Sequence, residues 1–147
     1  VIIVVDTNIV FSSIANAEGT ISDLLLNSSQ IFEFYSPSSL LDELDTHHKK
    51  LIGLTGFKEA ELNFLIRSIL KKIDIIDIDS IPTATRLQAI KITENVDRFD
   101  APFIALAIEL NSILWTGDKK LIKGLSNQGI DWLLDTASIK KVRDEHL

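Results

Sequence analysis

The chain has 147 residues, 46% hydrophobic and 24% charged, a balance too apolar for disorder and long enough to bury a core as a single domain over residues 1–147. It contains no Cys, which excludes disulfides and thiolate metal sites and fits a reducing, cytoplasmic setting. The net charge of −6 argues against nonspecific coating of nucleic acid, and no apolar run approaches the roughly 18 residues of a membrane-spanning helix.

The chain opens VIIVVDTN, five β-branched residues running into Asp6. Without a basic flank or a small-residue cleavage site, this run reads as a strand over residues 2–5 and not as a signal peptide. A short helical stretch follows Asp6, then a helix over residues 20–27 and a strand over 31–35. After Pro37 a helix begins near Ser39, with Asp42 three residues on as a variant capping box. Another helix spans about 58–72. The strand at 73–78 carries Asp74 and Asp77, which places it nearer a sheet edge. Helices at 85–93 and 100–110 precede a buried strand at 113–116. A helix at 119–125, a strand at 130–134 and a helix at 136–145 complete the pattern. Strands alternating with helices predict a three-layer α/β/α sandwich around a mostly parallel sheet of about five strands. In such sheets ligands sit at the carboxyl ends of the strands.

Four acids stand at or near that edge. Asp6 ends the first strand. On the helix after Pro37, Glu43 shares the apolar face of Leu40, Leu44, His47 and Leu51, whereas Asp42 and Asp45 face solvent. His47 reads as a packed imidazole one turn from Glu43. Asp100 stands before a helix that is apolar nearly all round, with Pro102 just inside it. Asp118 follows Thr116 and Gly117 in ILWTGDKKL. Singly, Asp6, Asp100 and Asp118 read as turn or capping residues, and a cap contributes about 1 kcal/mol. Jointly they are harder to dismiss. Two carboxylates about 4 Å apart repel by about 4 kcal/mol at an effective dielectric of about 20. A converging set therefore calls for protonation or a divalent cation, and without Cys or a His cluster a hard ion such as Mg²⁺ or Mn²⁺ fits the oxygen donors.

VVDTN, the inward Glu of LLDEL, DAPFIALA and LWTGDKKL, in this order and spacing, resemble a PIN domain from Val5 to about Leu121. The resemblance implies a small α/β/α sandwich acting as a Mg²⁺- or Mn²⁺-dependent ribonuclease, with Asp6, Glu43, Asp100 and Asp118 as catalytic metal ligands. Asn8 and Thr116 fall where the family places supporting polar residues. Lys119 and Lys120 stand where some members carry a further Asp, so a second metal position is incomplete unless Asp97 contributes. Lys119 and Lys123 share a helix face that steers an RNA backbone or simply meets solvent. The resemblance further implies an RNA substrate and the role of toxin in a type II toxin–antitoxin pair. With that role come an antitoxin protein partner and a homodimer, with contacts through a projecting region at 53–72. The alternative is a PIN-fold module that binds RNA or protein without cleaving. A haloacid-dehalogenase-type phosphatase is disfavoured because Asn8 stands where its second Asp is needed. A response-regulator receiver lacks its adjacent acids here.

Overall fold

β1 (Ile2–Val5) is the middle strand of the computed structural model, which describes the chain from Val1 to Leu147. The chain continues through α1 (Thr7–Ala15), α2 (Thr20–Asn27), β2 (Glu33–Pro37), α3 (Ser39–Thr46), α4 (His48–Thr55), α5 (Glu59–Leu70) and β3 (Ile73–Ile76). It then forms α6 (Thr83–Thr93), α7 (Ala101–Glu109), β4 (Ile113–Trp115), α8 (Lys119–Ser126), β5 (Leu133–Leu134) and α9 (Thr136–Glu145). Short 3₁₀ turns lie at Ile78–Ser80 and Arg98–Asp100. The five strands form one all-parallel sheet in the order β3-β2-β1-β4-β5. This is the three-layer architecture expected from the sequence, and β3 occupies an edge as expected, although it ends at Ile76, so that Asp74 lies within it and Asp77 caps the 3₁₀ turn that follows.

Alternation along β1 divides the core. Ile3 and Val5 point into one apolar layer with Ile9, Leu24, Leu40, Leu62 and Trp115. Val4 points into the other, with Phe103, Ile104, Leu114, Leu121 and Leu133. All three β1 side chains are completely buried, each worth about 1.5–3 kcal/mol of transfer free energy. The β-branched run is thus the rigid centre of the molecule.

Strand order creates the functional geometry. The chain winds from β1 through β2 to β3 on one side, then crosses back to lay β4 and β5 on the other. The switch point falls between β1 and β4, the crevice where open parallel sheets bind ligands. Val5 pairs with Trp115, and the Asp6 N–H continues the ladder to the Trp115 carbonyl at 3.0 Å. Asp6 and Thr116 therefore emerge side by side.

Several local expectations are corrected. β2 starts at Glu33, because Ile2 pairs with Glu33; Ile31 and Phe32 lie in the turn before it, and Pro37 still pairs with Ile76. The capping box at Ser39 does not form. Ser38 takes the N-cap position in an already helical conformation (φ −58°, ψ −22°), which leaves Ser39 inside the first turn with a buried, unpartnered hydroxyl. The helix after Pro37 breaks at His47 (φ −101°, ψ 13°) into α3 and α4. The region at 53–72 does not simply project. Gly56, at φ 69°, ends α4 in the left-handed conformation that glycine adopts most readily, and α5 folds back to bury Leu62 and Ile69 in the core.

Candidate active site

Asp6 and Asp118 each begin a helix in extended conformation, at ψ 154° and ψ 98°. That geometry lets a side chain turn back over the free N–H groups of the first turn. Asp6 Oδ1 accepts from the Thr7 N–H at 2.8 Å, and Asp118 Oδ1 accepts from the Lys120 and Leu121 N–H groups at 3.0 and 3.1 Å. Each engages one oxygen in this way. The capping reading of both residues holds, and it leaves the second oxygen of each for other work.

Asp100 behaves differently. The Arg98–Asp100 turn runs straight into α7, so Asp100 is itself helical (φ −83°, ψ −10°) and its side chain makes no capping bond. Its Oδ2 is buried without any hydrogen-bond partner. The capping role foreseen for Asp100 falls instead to Asp97, which accepts from the Phe99 N–H at 3.0 Å and stays exposed.

Polar side chains from the first turn of α1 and from the residue after β4 hold Asp6. Thr116 Oγ1 donates to Asp6 Oδ2 at 2.7 Å, and Asn8 Nδ2 donates to the same oxygen at 3.3 Å. Asn8 Oδ1 accepts from the Gly117 N–H at 3.0 Å, and Thr116 Oγ1 accepts from the Asp118 N–H at 3.1 Å. Asn8 and Thr116 thus tie the end of β1 to the loop after β4. Nearby, Ser36 donates to the Val5 carbonyl at 3.0 Å and pins the end of β2 to β1. Ser36 is silent in the sequence, since a serine in a strand carries no signal until the strand's register is known.

Electrostatics shows which acids face one another. Burial pushes the Asp6 carboxyl up to about 6, even though hydrogen bonds from Thr116 and Thr7 pull it down; the charges of Glu43 and Asp118 raise it further. Burial pushes Asp100 up to about 7, reinforced by Asp6, Asp97, Asp118 and Glu43. The four acids singled out in the sequence, with Asp97 beside them, therefore share one electrostatic environment. No basic side chain is among the leading causes of either shift, and neither acid has an ion pair. No three acidic or imidazole side chains are drawn into a closed ligand cluster. The donor set is all oxygen, with one buried carboxylate oxygen unsatisfied, and it fits a hard divalent cation.

Glu43 is half-buried on α3, while Asp42 and Asp45 are exposed as the helical spacing indicated. His47 departs from expectation. It is exposed, with its ring set edge-on to Phe11 at 5.5 Å, and it makes no hydrogen bond to Glu43. Lys119 and Lys123 lie exposed on α8. Lys119 also helps hold the Asp135 carboxyl low, behind the hydrogen bonds from Ser138.

A parallel sheet between two helical layers, with acids near its switch point, defines the class of fold. Comparison makes the family specific: a family model of the PIN domain matches residues 4–141, and the chain belongs to that family. Among solved structures, VapBC2 from Rickettsia felis, bound to a DNA fragment from its promoter, aligns with a TM-score of 0.67 and 20% identity, covering 92% of this chain and 98% of the other. A PilT N-terminus domain protein from the archaeon Sulfolobus solfataricus P2 aligns with a TM-score of 0.57 and 16% identity, covering 100% of this chain and 97% of that one. At these identities the likeness speaks for the fold. No curated protein sequence matches the chain significantly.

Proposed function

We propose that the protein is a divalent-metal-dependent endoribonuclease that hydrolyses RNA phosphodiester bonds, with Asp6, Glu43, Asp100 and Asp118 holding Mg²⁺ or Mn²⁺. The observation that carries this reading is at Asp100: a buried carboxylate oxygen with no hydrogen-bond partner, amid acids and with no ion pair. A structural cap would have its bond, and an acid serving only solubility would be exposed. Membership of the PIN family supports the nuclease reading.

The bound ion would supply a water of lowered pKa and stabilise charge on the phosphoryl oxygens. The chain's own residues do the positioning. Thr116 and Asn8 fix the Asp6 carboxylate in one orientation, a role in which outer partners of a ligand commonly matter 10- to 100-fold. The buried α7 and β1 hold Asp100 and Asp6 on rigid supports, so little reorganisation accompanies reaction. Asp97 extends the acidic rim and stands as the candidate for any additional ligand.

The same reading makes the chain a toxin of a type II toxin–antitoxin pair acting in the cytoplasm, with an antitoxin protein as partner; the structural likeness to VapBC2 supports it. No helix is long and apolar enough to cross a membrane. The outer face of α4 and α5, where Leu54 and Phe64 are exposed, suits a protein contact such as a homodimer.

The test is cleavage of structured and single-stranded RNAs with Mg²⁺ or Mn²⁺ by wild type, Asp6→Asn and Asp100→Asn. Metal-dependent cleavage lost in both variants is expected. Wild type without activity on any RNA sinks the nuclease reading and leaves a PIN-fold module that binds without cleaving.

A further inference from the structure

Seven phenylalanines are present, and Phe32, Phe34 and Phe103 are buried in the core. Phe99 is the opposite extreme at 83% exposure, the largest value for any aromatic side chain in the protein. An exposed Phe on a loose loop is unremarkable, since single apolar residues are common on surfaces. Phe99 is not on a loose loop. It is the middle residue of the Arg98–Asp100 turn, whose backbone is tied at its second and third amides. The Phe99 N–H donates to the Asp97 carboxylate at 3.0 Å and the Asp100 N–H to the Asp97 carbonyl at 3.2 Å. The turn runs without a break into the buried α7. The ring is therefore presented to solvent on a backbone that has little freedom to withdraw it.

Its position is specific. Phe99 directly precedes Asp100, so their Cα atoms stand about 3.8 Å apart. Arg98 on the other side is exposed and makes no ion pair. Phe99 lines none of the five main surface cavities, including the larger apolar ones beside Trp132 and Phe64. A protein segment docking by hydrophobic burial needs an apolar surround, and here the flanking residues are Arg98, Asp97 and Asp100. A flat, isolated π face next to a guanidinium suits a planar base with its phosphate.

We propose that Phe99 is a stacking platform for an unpaired base of single-stranded RNA, with Arg98 taking an adjoining phosphate, so that the strand is registered against Asp100. The inference rests on the ribonuclease reading for its substrate and concerns a binding residue, not a catalytic one. Stacking on an aromatic ring tolerates any base, so Phe99 contributes affinity and register and gives no base preference. Single-stranded RNA is favoured over duplex because only unpaired bases can be splayed onto a side chain.

The experiment measures binding of a fluorescein-labelled, random-sequence single-stranded RNA pool by anisotropy in Ca²⁺, and its cleavage in Mg²⁺ and Mn²⁺. The proteins are wild type, Phe99→Ala, Phe99→Leu and Phe99→Trp. Because the side chain is exposed, all four are expected to melt alike. Phe99→Ala and Phe99→Leu should each weaken binding about fivefold or more, the low end for one stacked base, while Phe99→Trp binds at least as well as wild type. Cleavage should follow in KM with kcat little changed. Phe99→Leu binding like wild type would show that apolar bulk suffices and overturn the platform, as would RNA binding unchanged in Phe99→Ala. If Phe99→Ala leaves RNA binding intact but abolishes binding to a partner protein, the ring belongs to a protein interface and the proposal falls. Phe99-dependent RNA binding by a wild type that cleaves in neither metal retains the platform and removes the nuclease reading. Cleavage indifferent to Phe99 does the reverse.

Discussion

Thr116 donates a 2.7 Å hydrogen bond to the buried Asp6 carboxylate, 110 residues away in sequence, while its own oxygen accepts from the Asp118 N–H at 3.1 Å. One hydroxyl thus orients one acid and fixes the loop that carries another. The parallel register of β1 and β4 makes this possible, since pairing of Val5 with Trp115 leaves the next residues of both strands adjacent at the sheet's end.

Removing that hydroxyl should loosen the site without disturbing the core. Thr116→Val keeps the shape but leaves Asp6 short of a donor, and its carboxyl should move further above about 6. An orphaned buried acceptor costs about 1–3 kcal/mol, with the loss greater at pH 8 than at pH 5 because protonation relieves it. Mn²⁺ affinity, read by calorimetry, should fall about 10- to 100-fold, with Thr116→Ser close to wild type. Equal affinity in Thr116→Val and wild type would show that Asp6 needs no orientation from β4.

Asp100 gives the pH dependence. Its carboxyl stands at about 7 in the folded chain against 3.8 for an unperturbed aspartic acid, so the folded state holds the extra proton between those values. Stability from this group is fully present below about pH 3.8 and is lost as pH rises through about 7. Asp6, at about 6, acts in the same direction. Asp23 and Asp135, both held low, act oppositely, and only at lower pH. Without added metal, urea unfolding should show stability falling from about pH 5 to pH 8. Asp100→Asn should flatten the slope and be the more stable protein at pH 8 by about 1 kcal/mol, a figure reduced for the partial exposure of Asp100. Parallel curves for the two proteins would contradict the assigned burial.

Trp115 tests the frame apart from the acids. It is fully buried, and its Nε1–H donates to Thr136 Oγ1 at 3.0 Å, which fastens the first residue of α9 to the end of β4. Trp115→Phe removes that bond and leaves a small void, so a loss of about 2 kcal/mol is expected in urea melts. Metal affinity should be unchanged where the variant is folded, because the Asp6 N–H bonds the Trp115 backbone and not its side chain. A loss of metal affinity with no loss of stability would reverse the roles argued for frame and site.

The architecture was legible because burial on both faces forces unbroken β-branched runs, as in residues 2–5, and an all-apolar helix such as α7 can only be interior. The converging acids were legible for the related reason that Asp6 and Asp118 interrupt such runs. What escaped was set by backbone angles and register. Nothing in the spacing of Leu40, Leu44 and Leu51 announces the break at His47, since their helical period continues across it. The capping motif at Ser39 failed because Ser38 is already helical, and Asp100 fails to cap for the same reason. In the second case the failure is informative: of the three acids that the sequence reads as turn or capping residues, it leaves Asp100 with an unsatisfied carboxylate oxygen.

On the metal-dependent reading proposed above, that oxygen would couple metal binding to folding. An ion that binds only the folded chain stabilises it by RT ln(1 + [L]/Kd), about 2.7 kcal/mol at a hundredfold excess over Kd. Here the gain must grow with pH, because Asp100 and Asp6 have to lose their protons to serve as ligands. Adding Mn²⁺ at fixed concentration should therefore raise the melting temperature more at pH 8 than at pH 5.5. Chelation should reverse the gain. Asp100→Asn, which carries no proton to displace at that position, should show a smaller gain with weaker pH dependence. Ca²⁺ should stabilise as well, since the donors are all oxygen. A stabilisation by Mn²⁺ that is equal at both pH values, or equal in wild type and Asp100→Asn, would place the ion somewhere other than among these acids.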